Sequence, residues 1–400
     1  MRQALVAIAV TLSVQTLTSM AMIAPSVLAP VAARELGIAP QAIGLFASLT
    51  YFGAMFSGLA TGRLVARFGP FAVCQAAVLL AGIGLLAGKV AILAVIPVAA
   101  LLIGLGYGVV NPVSSHILAR RTPPRIMALV FSIKQTGVPI GGAIAGAAVP
   151  PLVLAVAWPN TLAVLSAVCI GAAFVLACAR RTIGEKPAPG TGFARSLRGV
   201  FTGFGRPIQL VLADGMLREL AFASLGYAAV QLVFITYFVS YLNLELGFSL
   251  IAAGLVYAFA HGSGIVGRIA WGAVADHLLP ARAMLAALGA ITTACALLTA
   301  GFSATWPLAA VVAVAIVFGA SAVGWNGVFL AEVARCAPGQ VSTATGGTQF
   351  FTFAGAVLGP PLFAAAVWAT GSYAWGFALF AIPPLVVAVR LAARAPAKTR

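Results

Sequence analysis

Runs of about twenty consecutive apolar residues recur along the whole 400-residue chain. A helix of that length rises about 30 Å, which is enough to cross the hydrocarbon core of a bilayer. The composition agrees, since 62% of the residues are hydrophobic and 8% are charged, whereas soluble domains carry about 25% charged residues. Intrinsic disorder requires the opposite composition, and the alternating ten-residue segments of outer-membrane barrels are absent. We therefore predict an all-α polytopic membrane protein.

About twelve of these runs are bounded by charged residues, proline or glycine, and each is predicted to be a membrane-spanning helix. We number them spans 1 to 12. The first six are predicted at 4–30, 41–63, 71–88, 92–118, 126–150 and 159–179. The other six are predicted at 213–242, 249–272, 281–302, 305–333, 341–368 and 372–393.

The basic residues occupy alternate gaps between the spans. The formal net charge is +16, and the gaps on one side of the predicted membrane hold only Arg34 and Lys89. The positive-inside rule therefore places both termini in the cytoplasm, in a multi-pass protein of the cell inner membrane. A nucleic-acid binder would gather its Lys and Arg on one soluble face. We accordingly expect the lipid bilayer, and no nucleic acid, as a partner.

The residues that enzymes need for catalysis are sparse and scattered. The three histidines lie far apart, no pair of carboxylates lies deep in a span, and the five cysteines lack the paired spacing of a metal site. We therefore expect no enzyme activity, no catalytic residue, no metal and no cofactor. A membrane sensor is an alternative, although the chain has no long loops for signalling.

The two halves of the chain repeat one pattern. At an offset of 210 residues, Glu35-Leu36-Gly37 falls on Glu245-Leu246-Gly247. Offsets of 214 and 215 align Gly104 with Gly319, Asn111 with Asn326, Gln135 with Gln349 and Gly141 with Gly355. Six spans return the chain to its starting face, so the halves are parallel repeats, which in membrane proteins enclose a site near the midplane. We predict an N-terminal bundle over 1–180, a cytoplasmic linker over 181–212 and a C-terminal bundle over 213–400.

The predicted linker combines a flexible start with an amphipathic pattern. Phe193, Leu197, Phe201 and Phe204 recur at helical spacing and are interleaved with arginines. This pattern is typical of a basic helix that lies on the anionic inner leaflet, and a disordered basic loop is the alternative.

A short motif of glycines and arginines follows span 2 and is echoed after span 8. It reads Gly62-Arg63-Leu64-Val65-Ala66-Arg67-Phe68-Gly69-Pro70 in the first half and Gly272-Ala273-Val274-Ala275-Asp276-His277 in the second. With twelve spans in two halves, the chain resembles the major facilitator superfamily of secondary transporters, whose loop signature is G-x-L-A-D-R-x-G-R. The resemblance implies a fold of two pseudo-symmetric six-helix bundles.

In that family the loop packs against neighbouring helix ends and holds one conformational state. The resemblance therefore implies a gating role for Gly62, Arg63, Arg67, Gly69, Gly272 and Asp276. Ala66 replaces the acid of the signature in the first half, so we expect Asp276 to carry the interaction alone.

Two further stretches bear on the branch of the family. Span 4 has Ala100 where proton-coupled drug exporters of the family carry an arginine. The stretch Ser132-Ile133-Lys134-Gln135-Thr136-Gly137 is more similar to bacterial uptake members of the cyanate and organic-anion type. Helix bends suited to gating are predicted where glycine and proline cluster in spans 5 and 11, at Gly137, Pro139, Gly141, Gly142, Gly359 and Pro360.

Lys134 is the clearest candidate for substrate binding. It lies about 12 Å into span 5 on a face of small residues, which in membrane helices marks a surface turned toward protein. A charge at that depth costs about 3 kcal/mol, and no acidic residue lies as deep. We interpret Lys134 as a fixed positive charge for an anionic substrate; a side chain that snorkels to the cytoplasmic edge is the alternative.

Other polar and aromatic residues of the spans are weaker candidates. His261 and Glu219 are candidates for the coupled proton, and a neutral hydrogen-bonded histidine and an ion-paired glutamate are the alternatives. Amides in hydrocarbon need partners, either neighbouring helices or a substrate. The remaining substrate-binding candidates are Gln135, Asn111, Asn326, Gln349, Trp325, Tyr51, Tyr227 and Tyr257.

Taken together, these features favour a secondary transporter that works by alternating access. We expect a small organic anion such as a carboxylate as substrate and a monomer as the functional unit. We expect symport with protons, for which His261 is a candidate carrier. The alternative is an exporter of hydrophobic or cationic compounds.

Overall fold

The computed structural model describes residues 2–122, 127–183, 205–338 and 340–393, and these ranges contain helices and no strand. Within these ranges, eleven helical stretches are long and apolar enough to cross a membrane. One of them, Ile133–Ala177, has 45 residues and is interrupted at Ala157, where φ is 62° and ψ is 161°. Because that stretch is long enough to cross twice, the described helices account for the twelve predicted spans.

The described residues of the first half form six helices. They are α1 (Arg2–Leu36), α2 (Ile43–Phe68), α3 (Pro70–Gly88), α4 (Ile96–Arg121), α5 (Met127–Gln135) and α6 (Gly137–Ile183). A short 3-10 helix, Pro40–Ala42, precedes α2. The interruption at Ala157 divides α6 into 137–156 and 158–183, which correspond to the end of span 5 and to span 6.

The described residues of the second half form nine helices. They are α7 (Gly205–Ala213), α8 (Gly215–Ser240), α9 (Leu250–His277), α10 (Ala281–Ala300), α11 (Leu308–Ala322), α12 (Asn326–Cys336), α13 (Val341–Thr370), α14 (Tyr373–Phe380) and α15 (Ile382–Ala393). A π-helical turn, Tyr241–Glu245, follows α8.

Three predicted spans are interrupted rather than continuous. Span 5 breaks at Thr136. The backbone N–H of Thr136 donates to the carbonyl of Ile133, three residues back, instead of to the carbonyl four residues back as in an α-helix. Span 10 breaks over 323–325, and span 12 breaks at Ala381. Breaks in membrane helices are tolerated because neighbouring groups satisfy the freed backbone atoms, so apolar composition alone does not reveal them.

Aligned glycines occupy equivalent helix crossings in the two halves. A Cβ on Gly104 of α4 would overlap the carbonyl oxygen of Thr50 in α2, and a Cβ on Gly319 of α11 would overlap that of Ala260 in α9. Each glycine therefore allows two helix backbones to meet, as small residues do at membrane helix interfaces. The sequence repeat thus corresponds to the same internal packing in both halves.

The chain forms two compact units. One comprises Met1–Ala39 and Leu49–Thr202, and the other comprises Pro40–Ser48 and Gly203–Arg400. Residues 40–48 join the second unit because Tyr237 donates a hydrogen bond to the Gln41 carbonyl (3.1 Å) and Ser48 donates one to the Val357 carbonyl (2.7 Å). The amphipathic segment predicted at 193–204 lies outside the described residues.

Candidate functional site

Lys134 lies inside the first unit, next to the last residue of α5. Its side chain is 2% exposed, and its ammonium group donates a hydrogen bond to Oδ1 of Asn111 on α4. A lysine that snorkels keeps its charged end in water, which this burial excludes. The two predicted candidates Lys134 and Asn111 are therefore in direct contact, and this partner of the ammonium group is a neutral amide.

Polar and aromatic side chains on α4 and α2 extend from Lys134: Asn111, Tyr107 and Tyr51. Tyr107 lies one helical turn before Asn111, so both project from the same face of α4. The ring of Tyr107 meets the ring of Tyr51 on α2 edge to face, with centroids 5.9 Å apart. Gln135, next to Lys134, is half-buried. The structure thus brings Tyr51, Asn111, Lys134 and Gln135 into one region of the first unit.

The break at Thr136 fixes where α5 ends and α6 begins. The Thr136 hydroxyl donates to the carbonyl of Ile133 over 2.6 Å, so this carbonyl accepts both the hydroxyl and the backbone N–H of Thr136. The glycines that follow allow α1 to approach α6: a Cβ on Gly137 would lie 2.8 Å from Cβ of Gln15, and one on Gly141 would lie 2.5 Å from the Thr16 carbonyl oxygen. The predicted bend in span 5 is a helix break, one residue before the Gly137, Pro139, Gly141 and Gly142 cluster.

Gln15 of α1 was not predicted as a site residue. Its side chain is 0% exposed, and neither its amide nitrogen nor its amide oxygen has a hydrogen-bond partner among the described residues. The hydroxyl groups of Ser19 on α1 and Ser114 on α4 are also buried without a partner in the described part of the chain. An uncharged amide within an apolar span is the signal that could have identified Gln15, as it did for Asn111.

The aromatic candidates of the second unit are packed and hydrogen-bonded within that unit. Tyr227 donates to the carbonyl of Leu285, and its ring stacks on Trp325 with centroids 5.0 Å apart. Trp325 Nε1 donates to Gln231 Oε1 over 3.0 Å, and Tyr257 donates to the Ile235 carbonyl over 3.2 Å. Their polar atoms are therefore used in helix packing, and a substrate contact by these side chains stays a prediction.

His261 of α9 is fully buried beside Tyr257, with ring centroids 4.4 Å apart. Neither ring nitrogen has a hydrogen-bond partner among the residues that the structure describes. The alternative of a histidine hydrogen-bonded to a neighbouring helix is therefore not observed. The two remaining amide candidates are only half-buried: Asn326 begins α12 and Gln349 lies in α13.

Glu219 belongs to a buried ion cluster in the second unit. Arg282 of α10 contacts Glu219 of α8 (Nη1 to Oε2, 3.4 Å) and Glu332 of α12 (Nε to Oε1, 3.1 Å). The exposed side chain of Arg335 contacts the same Glu332 oxygen, with Nη2 and Oε1 2.7 Å apart. The structure thus favours the ion-paired alternative for Glu219. Arg282 and Glu332 are not among the residues predicted from the sequence, so this cluster was not predicted.

The loop motifs lie at the ends of α2 and α9. Gly69 has a φ of 80°, a conformation that favours glycine, and it directly precedes Pro70 at the start of α3. The guanidinium of Arg67 lies over the ring of Phe68, 5.1 Å from its centroid. Arg63 and Gly62 lie one turn earlier in α2, and Gly272 and the exposed Asp276 lie near the end of α9. The gating role of these residues stays a prediction.

Gly359 and Pro360 lie inside α13, which is helical from Val341 to Thr370. A Cβ on Gly359 would lie 2.8 Å from the Cα of Ala229, so this glycine permits close packing on α8. The carbonyl of Pro360 accepts a hydrogen bond from Tyr237 over 2.8 Å. Within the described ranges, no three His, Cys, Asp or Glu side chains converge as metal ligands would.

Comparisons with known proteins agree with this architecture. A sequence profile of the Major Facilitator Superfamily matches residues 11–360. The fold is similar to the crystal structure of a bacterial homolog of the human lysosomal transporter Spinster in an inward-facing, unoccupied conformation. That match has a TM-score of 0.74 and 15% identity and covers 98% of this chain and 96% of the other. A variant of the nucleoside transporter NupG also gives a TM-score of 0.74, at 16% identity, over 96% of this chain and 99% of the other.

Two curated proteins are similar in sequence. The Hexuronate transporter of Bacillus subtilis (strain 168) is 26% identical over 259 residues, which are 63% of this chain and 60% of the relative. The Probable sulfoacetate transporter SauU of Cupriavidus necator is 26% identical over 264 residues, again 63% and 60%. The matched region therefore spans about three fifths of the length of each relative.

Proposed function

The chain belongs to the major facilitator superfamily, and we propose that it is a secondary transporter that carries a small organic anion across the inner membrane by alternating access. In this proposal a carboxylate is the preferred anionic group, protons are co-transported, and a single chain is the functional unit. Both termini lie in the cytoplasm, as the distribution of Lys and Arg indicates.

The observation that carries the proposal is the buried contact between Lys134 and Asn111. A cation inside a membrane span costs at least about 3 kcal/mol, so a chain that retains one there uses it. The ammonium group supplies charge for an anion, and the Asn111 amide orients the ammonium and offers its NH₂ group as a further donor. These two groups bind a carboxylate as a charged and a neutral donor side by side.

Two independent features support an anionic substrate. The names of both curated relatives refer to organic anions, hexuronate and sulfoacetate. Asn111 contacts the charge of Lys134, and Tyr107, one turn away on α4, packs against Tyr51, so an amide and two phenol side chains lie in this region of the first unit. Such groups can bind the oxygen atoms that accompany a carboxylate in small metabolic acids.

Proton coupling is proposed through His261. Imidazole is the side chain whose ordinary titration range is closest to neutral pH, and neither ring nitrogen is hydrogen-bonded in the described structure. Tyr257 packs on the ring, and Arg268 lies two turns further along the same helix. Glu219, the other candidate, is ion-paired with Arg282, which makes it the weaker carrier.

The experiment that tests this function is counterflow into proteoliposomes that contain the purified protein. Vesicles are loaded with an excess of one unlabelled compound and the uptake of the labelled form is followed. Small carboxylates, including hexuronates and short hydroxy acids, are expected to accumulate transiently, and a lipophilic cation is not. Accumulation of the lipophilic cation alone would replace this proposal with the exporter alternative.

A further inference from the structure

The side chain of Gln15 ends in a primary amide that is fully buried in the first unit and has no hydrogen-bond partner among the described residues. A primary amide offers two donors and an acceptor. A buried amide that leaves all of them unused destabilises the protein, so unpaired amides are rare and call for a reason. Ser19, one turn along α1, repeats the feature with a buried and unpaired hydroxyl. Two neutral polar groups therefore lie unused on one face of α1.

The direction of the Gln15 side chain follows from how α1 and α6 pack. Gly137 of α6 lies against Gln15 of α1. One turn further along both helices, Gly141 lies against Ser19. The contacts advance together, so α1 and α6 run in the same direction. Long side chains in a helix point back toward its N-terminus. The Gln15 amide therefore extends from the level of Gly137 toward that of Lys134, three residues earlier.

We propose that Gln15 is a specificity-determining residue that binds a hydroxyl group of the substrate while Lys134 binds its carboxylate. This inference rests on the proposed function. A hydroxyl group both donates and accepts, so it matches the paired NH₂ and carbonyl of one amide. The substrate class is accordingly a small hydroxy acid. Because access to a central site alternates, a group that is closed off in one state meets substrate in another.

The test compares acids that differ by one hydroxyl group. Binding of lactate and propionate, and of 3-hydroxybutyrate and butyrate, is measured by thermal shift and by competition in counterflow. The wild-type protein is expected to prefer the hydroxylated member of a pair. Gln15→Leu keeps the side-chain volume against Gly137 and removes the hydrogen-bonding atoms. We expect it to reduce that preference about three- to tenfold, the factor of one neutral hydrogen bond, with the binding of the unsubstituted acid unchanged.

Control variants separate this inference from the proposed function. Gln75→Leu makes the same change on α3, outside the site, and should leave the preference intact. Lys134→Gln should weaken the binding of both members of each pair. A variant Gln15→Leu that retains the wild-type preference overturns the role of Gln15 while anion binding stands. A wild-type protein that binds none of the four acids overturns both the inference and the class of substrate on which it rests.

Discussion

The backbone N–H of Tyr373 donates a hydrogen bond to Oε2 of Glu245 over 2.7 Å, so a carboxylate that follows one helix caps the start of another. The Ser372 hydroxyl donates to the other oxygen of Glu245 over 2.6 Å. Glu35, which the sequence repeat aligns with Glu245, accepts a hydrogen bond from Trp158 Nε1 over 2.6 Å in the first unit. The two aligned glutamates thus connect the first and last spans of their own units.

Replacing Glu245 with alanine should destabilise the second unit. The change removes the acceptor at the start of α14 and a negative charge at a helix N-terminus, which together contribute about 1 to 2 kcal/mol. We expect a lower melting temperature for Glu245→Ala in detergent and a smaller decrease for Glu245→Gln, which keeps one acceptor. An unchanged melting temperature for Glu245→Ala would show that the cap contributes nothing to stability.

Breaking the buried ion cluster should lower the free energy of unfolding more than the Glu245 variants do. Arg282→Met leaves Glu219 and Glu332 buried without their shared cation, and the loss of one partner of a buried pair typically costs about 3 to 5 kcal/mol. Thermal unfolding of Arg282→Met should be shifted strongly downward. The double variant Arg282→Met, Glu332→Leu should recover part of the loss because it removes one of the two carboxylates that have lost this cation.

The matched control for this cluster is Arg335→Ala. The Arg335 side chain is 64% exposed, and an exposed ion pair contributes at most about 1 kcal/mol. Equal destabilisation by Arg335→Ala and Arg282→Met would contradict the distinction between the buried and the exposed partner of Glu332.

Alanine at a crossing glycine should be poorly tolerated. A Cβ on Gly319 would overlap the Ala260 carbonyl oxygen, so Gly319→Ala must move two backbones apart, which costs about 1 to 3 kcal/mol. Gly171→Ala is the control, since a Cβ there meets no atom within 4 Å. We expect a lower melting temperature for Gly319→Ala alone. Equal behaviour of the two variants would rule out a close crossing of α9 and α11.

His261→Asn tests the proposed proton carrier. Asparagine preserves polarity but does not titrate, so uptake driven by a pH gradient should lose its dependence on that gradient while counterflow continues. The measurement is uptake into proteoliposomes at several external pH values. His277→Asn, at an exposed position on the same helix, should behave as wild type. A pH profile for His261→Asn identical to that of the wild type would remove His261 from the coupling mechanism.

The fold was largely predictable because membrane-spanning helices depend on local composition. Apolar runs gave the helices, and aligned residues such as Gly104 and Gly319 predicted the repeat that the helix crossings display. Interruptions at Thr136 and at 323–325 were not predictable, since broken membrane helices depend on partners from other helices.

The candidate site was predictable only in part. The depth of Lys134 followed from its position in an apolar run, but its contact with Asn111 required the packing of α5 against α4. The partner of Glu219 was missed for the same reason, because Arg282 lies on a distant helix. Gln15 was missed because, unlike Asn111 and Gln135, it has no aligned amide in the second half, and only its lack of a partner among the described residues distinguishes it.

The most direct test of the account is anion uptake by Lys134→Gln in proteoliposomes. Glutamine keeps a polar side chain next to Asn111 and removes the charge, so the protein should remain folded while the affinity for anions falls at least about tenfold, as the loss of a charged hydrogen bond requires. Lys89→Gln, the same change at an exposed position, should transport as wild type. Loss of carboxylate uptake in folded Lys134→Gln is the predicted result, and wild-type uptake by that variant would contradict the proposed role of the buried lysine.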